Sequence, residues 1–233
     1  LKKVTLLEGW TMEKIAEALE GELGLNKKGV LALCKNRSFV RKTGIPSKSL
    51  EGFLFPDTYF FHEDDSPEDI LTQIVNEYQK NITDSLRSRA DVLGFSELEM
   101  VTLASIIEGE AIYDTERTII SGVYHNRLKR GMRLQADPTI QYIIKDSPRR
   151  LLNRDLKIDS PYNTYLYDGL PPGPVNNPGK ASILAALYPD ENDYLFFVAR
   201  GDGYHTFSKT REEHNRAKKA FQKVRRKHRN KRE

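Results

Sequence analysis

Residues 96–111, with the sequence SELEMVTLASIIEGEA, combine a helix start signal with a long apolar pattern. Ser96 and Glu99 have the spacing of a capping box, in which each side chain binds a backbone N–H, so we expect a helix from about Glu97. At about 100° per residue, one face of this helix carries Val101, Ala104, Glu108 and Ala111. Glu110 lies about 200° from Glu108, so the two glutamates are not expected to act as a pair.

Glu108 is a candidate general acid, because a carboxyl group on an apolar helix face loses hydration, which favours its protonated form. The alternative is a structural glutamate that is satisfied by an arginine or by a backbone donor. Gly109 costs about 1 kcal/mol relative to alanine inside a helix. Its presence indicates either a close approach to the backbone at this point or an early end of the helix.

The composition is that of a globular protein. The chain has 233 residues, of which 38% are hydrophobic, enough for one main domain and a small one. The net charge of +4 comes from the C-terminus, since residues 207–233 contain twelve Lys and Arg against three Glu, and the rest contains 25 basic and 30 acidic residues. No recognition-helix, zinc-finger or RNA-binding aromatic pattern accompanies this basic tail, so nucleic acid is not an expected partner.

Disulfide and metal chemistry are not indicated. The single Cys34 excludes an internal disulfide, and the five histidines are scattered without ligand spacing, so we expect no metal site and no cofactor. No segment has the roughly 18 apolar residues that a membrane-spanning helix needs, and no signal peptide is present. Because the chain begins at Leu1 and not at Met, we expect a membrane anchor or export signal upstream of it.

Turn, cap and periodicity signals predict an α+β fold in three parts. Residues 1–48 form a small module of a strand and two helices, which ends at the link of residues 44–47. Residues 49–215 form a mainly helical domain with β-hairpins and long loops around a cleft, and residues 216–233 are a basic helix end or tail. Helices are expected at 11–19, 28–34, 66–86, 97–111, 114–131, 137–144, 177–188 and from 210, with a hairpin at 194–207.

A set of short motifs follows in order along residues 50–215. They are LEG at 50–52, FPDT at 55–58, ASIIExE at 104–110, NRL at 126–128, GMRLQxDPT at 131–139, YNTY at 162–165, GLPPGP at 169–174, NPG at 177–179 and GxHTFS at 203–208. With these motifs the sequence resembles the endolytic murein transglycosylases of the MltG (YceG-like) family. The ordered set is far more specific than any single motif.

The resemblance implies a bacterial enzyme that is held at the cytoplasmic membrane by one N-terminal helix, with its catalytic domain on the outer side. It would act on newly made peptidoglycan glycan strands, with peptidoglycan synthases as further partners. Residues 1–48 resemble the LysM-like glycan-binding module of such proteins. The family's catalytic glutamate corresponds to Glu108, and Gly109 stands where the family has Lys.

The implied reaction cleaves the β-1,4 bond between N-acetylmuramic acid and N-acetylglucosamine without water. Glu108 would protonate the glycosidic oxygen and then accept the proton of the muramyl C6 hydroxyl, as that oxygen attacks C1 and forms a 1,6-anhydro ring. Because the nucleophile belongs to the same sugar, no second carboxylate is needed. The candidate substrate-binding residues are Tyr162, Asn163, Tyr165, Gln135, His205 and Glu51. For Gln135 and His205 the alternative is that they fix a loop by hydrogen bonds.

Two other functions fit parts of the sequence. A water-using muramidase would need Glu108 as the acid and a second carboxylate, such as Glu51 or Asp137, although a proline beside Asp137 is more typical of a cap or turn. A non-catalytic glycan-binding protein of the cell wall would use the N-terminal module and the aromatic loops, and it would not depend on Glu108.

Overall fold

The computed structural model describes residues 1–230, and within them it contains ten α-helices, one short 3-10 helix (Asp155–Lys157) and four short strands. The helices are α1 (Met12–Leu23), α2 (Lys27–Cys34), α3 (Arg37–Lys42), α4 (Pro67–Asn81), α5 (Asp84–Leu93), α6 (Glu97–Glu110), α7 (Asp114–Lys129), α8 (Asp137–Ile143), α9 (Lys180–Leu187) and α10 (Arg211–Asn230). The strands are β1 (Lys2–Thr5), β2 (Thr58–Phe61), β3 (Phe196–Ala199) and β4 (His205–Ser208). Helices with two small sheets confirm the α+β class.

The N-terminal unit, defined here as residues 1–61, is held together by a sheet between distant segments. Strand β1 pairs antiparallel with β2, with Lys2 opposite Phe61 and Thr5 opposite Thr58. Helices α1 to α3 lie between the two strands in the chain, and α1 packs on both β1 and α2. This pairing crosses the boundary expected after residue 48, so residues from the following segment complete the sheet. The division of the chain into three parts stays a prediction.

Helix α6 is the centre of the core. It begins after the predicted capping box, in which Glu99 N donates to Ser96 Oγ at 3.2 Å and Ser96 N donates to Glu99 Oε2 at 2.8 Å. Every residue from 100 to 107 is buried, because α7, α8 and α9 pack around the helix. An apolar pattern on all sides of a helix is typical of such central burial. The apolar face predicted from Val101, Ala104 and Glu108 is therefore not the only buried face, because α6 is buried on all sides along residues 100–107.

Several predicted helix bounds were wrong. The helix expected over 66–86 is two helices, because Ile82 leaves the helical conformation and Thr83 caps α5 by accepting from Leu86 N at 3.4 Å. Helix α3 was not predicted, although Asn36 caps it through Phe39 N. Helices α7 and α8 begin at Asp114 and Asp137, as their predicted ranges do, and neither helix has a side-chain cap.

The predicted hairpin near the C-terminus is confirmed. Strands β3 and β4 pair antiparallel with Phe196 opposite Ser208, and the sheet packs on α7 and α10. Helix α10 begins after Thr210, whose Oγ1 accepts from Glu213 N at 3.2 Å. The last three residues of the basic tail lie outside the described residues. Among the helices of residues 1–230, none combines the length and the apolar character that crossing a bilayer requires.

Candidate active site

Glu108 lies in the last turn of α6, and its side chain is 6% exposed. Oε1 accepts from Arg117 Nη1 at 3.0 Å, and Oε2 accepts from the backbone N–H of Gly179 at 3.0 Å. Gly179 is the residue that precedes α9, and N–H groups at a helix start have no partner within the helix, so they are suited to bind a carboxylate. Helices α6, α7 and α9 together fix both oxygens of this group.

The surroundings of Glu108 differ from the apolar pocket that the sequence suggested. Arg117 lies on α7 and also donates to Asp114 Oδ1 at 2.8 Å and to Ser182 Oγ. The expected burial is confirmed, but the neighbours are charged, because α7 brings an arginine that the pattern of α6 could not reveal. The structural alternative, a glutamate satisfied by an arginine and a backbone donor, describes these contacts correctly.

A second carboxylate, Glu8, reaches the same place from the turn between β1 and α1. Its Oε2 lies 4.0 Å from Arg117 Nη2, and its carboxyl group packs so closely on Gly179 that a side chain there would overlap it. Burial raises the pKa of Glu8, and the charge of Glu108 raises that pKa further. Sequence analysis did not identify Glu8, because its proximity depends on long-range packing.

The turn that carries Glu8 is tied to the segment before α9. Gly9 N donates to Asn177 O at 2.9 Å, and Asn177 N donates to Trp10 O at 2.9 Å. Gly9 has φ +76°, and a Cβ at this residue would lie 3.6 Å from Glu108 Cγ. The backbone of the N-terminal unit therefore forms one side of the site.

The side chain of Asn177 forms four hydrogen bonds with distant segments of the chain. Sequence analysis did not single out this residue, although it lies in the NPG motif. It is fully buried, and its Oδ1 accepts from Gly52 N at 2.8 Å and from Leu54 N at 2.9 Å. Its Nδ2 donates to Trp10 O at 2.9 Å and to Glu51 Oε1 at 3.0 Å. All polar atoms of the side chain are thus used to join three segments of the chain.

Glu51 is buried, with 3% of its surface exposed. Its Oε1 also accepts from Met12 N at 2.9 Å, and Tyr142 Oη donates to Oε2 at 3.4 Å. Burial raises the pKa of Glu51 to about 7. Glu51 forms its hydrogen bonds with Asn177, Met12 and Tyr142 and none with Glu108. No direct contact therefore supports Glu51 as the second carboxylate of a muramidase in which Glu108 is the acid.

Gly109 is explained by the approach of α8. A Cβ at this residue would lie 2.6 Å from Pro138 Cβ, so the absence of a side chain lets the two helices pack. The prediction of a close approach is confirmed, and the alternative of an early helix end is wrong, because α6 continues to Glu110.

Glu110 points away from Glu108, as predicted. Its Oε1 accepts from Tyr124 Oη at 2.9 Å, and burial raises its pKa to about 8, with a further contribution from the nearby charge of Asp137. Asp137 accepts a hydrogen bond of 2.5 Å from Tyr165 Oη. The second carboxylate suggested for a muramidase, Asp137, is therefore paired with a tyrosine on the other side of α6 from Glu108.

Two of the predicted sugar contacts, Asn163 and His205, use their polar atoms within the protein. Asn163 is fully buried and donates to Leu156 O and Ile158 O at 3.1 and 2.8 Å, so its amide fixes the loop and the expected sugar contact does not fit. His205 Nδ1 lies 2.8 Å from Glu116 Oε2, and this contact fixes β4 on α7. The alternative given for His205, a structural hydrogen bond, therefore describes its position.

Tyr162 and Gln135 are more accessible. Tyr162 is half-buried and packs against Tyr142 at a ring distance of 5.1 Å. Gln135 is exposed and has φ +50°, a left-handed conformation that is uncommon for a residue with a side chain. Such conformations cluster at functional sites. Both side chains are free to meet a ligand.

Asn176 offers a further polar group beside α6. It is 5% exposed, and its Nδ2 donates to Ser105 O at 2.8 Å, whereas its Oδ1 has no hydrogen-bond partner among the described residues. Within residues 1–230, no group of three His, Cys, Asp or Glu side chains is arranged to hold a metal ion. The polar groups of the site described above are thus carboxylates, amides, the Ser182 hydroxyl and the Arg117 guanidinium.

Comparison with known proteins gives a consistent result. Residues 1–220 match the model of the YceG-like family. A crystal structure of a YceG-like protein from Listeria monocytogenes has a TM-score of 0.86 and 38% identity, covering 93% of this chain and 76% of that one.

Two curated relatives carry the name endolytic murein transglycosylase. The protein of Bacillus subtilis strain 168 is 38% identical over 234 residues, which cover 94% of this chain and 65% of that protein. The protein of Streptococcus pneumoniae strain D39 is 29% identical over 245 residues, which cover 93% of this chain and 44% of that protein. The chain therefore spans about two thirds of the first relative and less than half of the second.

Proposed function

The chain belongs to the YceG-like family, and from this premise we propose that it is an endolytic murein transglycosylase, like its named relatives. The proposed substrate is the glycan strand of peptidoglycan, and the bond cleaved is the β-1,4 bond between N-acetylmuramic acid and N-acetylglucosamine. The proposal rests above all on Glu108, which occupies the first glutamate position of the ASIIExE motif and whose side chain, in the last turn of α6, is 6% exposed.

In the proposed mechanism Glu108 acts twice. Its protonated form donates to the glycosidic oxygen as the bond from that oxygen to C1 breaks. The resulting carboxylate then accepts the proton of the muramyl C6 hydroxyl while O6 bonds to C1, so the proton balance of the enzyme is restored. Gly179 N–H and Arg117 stabilise the charged intermediate state of the carboxylate. Because O6 belongs to the reacting sugar, the step has the advantage of an intramolecular nucleophile.

The N-terminal unit is part of this proposal. We assign it a LysM-like role in holding the glycan, and its turn at Glu8 and Gly9 supports such a role by lining the site beside Glu108. We also place the enzyme on the outer side of the cytoplasmic membrane, where its substrate is found. Tyr162 and Gln135 are the proposed sugar contacts, since their side chains are accessible.

The test is Glu108→Gln, which keeps the shape of the side chain but cannot exchange a proton. We expect turnover of uncross-linked glycan strands to fall about a thousandfold, while the strands still bind. Glu110→Gln is the matched control on the same helix. Because burial raises the pKa of Glu110 to about 8, its carboxyl group is mainly protonated at pH 7 and an amide resembles that state. Unchanged turnover in Glu108→Gln would refute Glu108 as the acid, whereas strand binding without any turnover in the wild type would favour a glycan-binding protein.

A water-using muramidase is the second candidate, and the position of Glu8 favours it. Glu8 is the carboxylate that shares Arg117 with Glu108, so it is available to activate a water molecule. Mass spectrometry of the products separates the two reactions. Anhydro-ended fragments are one water lighter than fragments with reducing ends, and a digest that contains reducing ends alone would exclude the transglycosylase.

A further inference from the structure

A concave site lies between the N-terminal unit and the main body, lined by residues other than Glu108 and Arg117. The basic pocket, as we name it, is a cavity of about 580 Å³ between α3, the segment after it and the loop 172–174. Its lining includes Arg37, Arg41, Lys48, Glu51 and Tyr162. Nothing in the mechanism above uses the three cations of this pocket.

These cations are not neutralised by other described residues. Arg37 and Arg41 are four residues apart on α3, so they lie on the same helix face, and both are exposed, as is Lys48. Within residues 1–230, none of the three has an acidic group within 4.0 Å or a side-chain hydrogen bond. The sequence explains this, because it contains no Asp or Glu between Glu22 and Glu51.

The one acidic residue of the pocket does not cancel the positive charge. The oxygens of Glu51 already accept from Met12 N, Asn177 Nδ2 and Tyr142 Oη. Its carboxyl group is buried beneath the cavity, and burial favours its neutral form. The pocket therefore presents a positive surface to a ligand that enters from solvent.

One segment connects this pocket with the catalytic carboxylate. Pro174 forms part of the pocket wall, and the next residue, Val175, donates its N–H to Ser105 Oγ at 3.0 Å, one turn before Glu108 on α6. The same segment ends at Gly179, whose N–H holds Glu108 Oε2. A ligand in the pocket would thus lie along the segment that positions the acid.

We propose that the basic pocket binds carboxylate groups of the peptide that the muramyl residues of the glycan strand carry. This inference rests on the proposed function. A guanidinium binds a carboxylate through two parallel hydrogen bonds, and two such groups on one helix face suit a peptide with more than one carboxylate. The pocket is concave, and residues 174–179 connect its wall to Glu108. Both features favour a peptide ligand over an anionic lipid surface, because a membrane would bind a flat or convex patch.

The experiment compares two substrates and two charge-matched variants. The substrates are uncross-linked glycan strands with their peptides and the same strands after enzymatic removal of the peptides. The test variant is Arg37→Gln with Arg41→Gln, and the control is Lys28→Gln with Lys42→Gln, which removes two exposed charges of the N-terminal unit outside the pocket.

We expect the test variant to raise KM about tenfold for peptide-bearing strands with little change in kcat, as for two partly exposed ion pairs. On peptide-free strands it should equal the wild type, and the control should equal the wild type on both. An unchanged KM, an equal rise on both substrates or an equal rise in the control would overturn the proposal.

Calorimetric binding of the two kinds of strand by Glu108→Gln, with and without the arginine substitutions, tests the pocket independently of turnover. If the wild type cleaves neither substrate, the proposed function fails, while a binding difference for peptide-bearing strands still supports the pocket. If binding to phosphatidylglycerol vesicles depends on the two arginines and binding to strands does not, the site is a membrane contact and the inference is wrong.

Discussion

Replacing Glu51 with glutamine is expected to stabilise the protein in a pH-dependent way. Burial raises the pKa of this carboxyl group from 4.5 to about 7, and 3% of the residue is exposed. A glutamine has the same shape, and its Oε1 can still accept from Met12 N and Asn177 Nδ2, which now bind Glu51 Oε1 at 2.9 and 3.0 Å. The main change is therefore the loss of a titrating group.

The direction of this pH effect follows from the number of protons that the folded and the unfolded chain bind. Between pH 4.5 and about pH 7 the folded protein retains a proton on Glu51 that the unfolded chain has already lost, so the free energy of unfolding falls as the pH rises. A pKa difference of this size corresponds to about 3 kcal/mol, reached in full above pH 7. Glu51→Gln should thus equal the wild type near pH 4.5 and exceed its stability by up to about 3 kcal/mol at pH 8.

Urea unfolding at pH 5 and pH 8 measures this effect, because the other titrating groups are common to both proteins and cancel in the difference. Glu51→Ala is the control, since it leaves two buried donors without an acceptor and opens a cavity but also removes the titrating group, so it should be about 3 kcal/mol less stable than Glu51→Gln at both pH values. A stability difference between Glu51→Gln and the wild type that is the same at pH 5 and pH 8 would refute the reasoning.

Two further predictions concern the backbone around the site. Asn177→Ala removes the acceptor of the backbone N–H groups of Gly52 and Leu54, at 2.8 and 2.9 Å, and should lower the free energy of unfolding in urea by at least about 3 kcal/mol. Wild-type stability of this variant would contradict the role of Asn177 in joining the segments. Gly52→Ala should cost about 3 kcal/mol by thermal unfolding, because Gly52 has φ +90° and a side chain would overlap a proline ring. Its control is Gly131→Ala, with φ +63° but open space, which should cost only about 1 kcal/mol; equal losses would exclude the overlap as a cause.

Local signals predicted the elements that local interactions determine. The capping box at Ser96 and the apolar run behind it were sufficient for α6, and the Arg-Gly-Asp-Gly turn at 200–203 was sufficient for the β3–β4 hairpin. The break between α4 and α5 was missed because residues 81–83 contain neither Gly nor Pro, and Thr83 reads equally well inside a helix. Helix α3 was missed because six residues carry too little periodicity.

The site was only partly predictable, since its essential contacts join distant segments. The pattern of α6 indicated Glu108 and its burial, but the periodicity of one helix carries no information on what packs against it. Arg117 and Glu8 reach Glu108 through the packing of α7 and of the N-terminal turn. Asn163 has the residue type of a sugar contact, yet its amide is used by its own loop, which a composition-based inference cannot detect.

The charged surroundings of Glu108 bear on how one residue could serve as both acid and base. Three carboxylates lie around the Arg117 guanidinium, with Asp114 at 2.8 Å, Glu108 at 3.0 Å and Glu8 at 4.0 Å. Burial and the charge of Glu108 raise the pKa of Glu8, and the charge of Arg117 lowers it. In the mechanism proposed above, Glu108 gives a proton to the glycosidic oxygen and takes one from the C6 hydroxyl, so its charge changes twice. Arg117 Nη1 and Gly179 N–H lie at hydrogen-bond distance from its two oxygens, and Glu8 is the neighbouring carboxyl group whose pKa depends on the charge of Glu108.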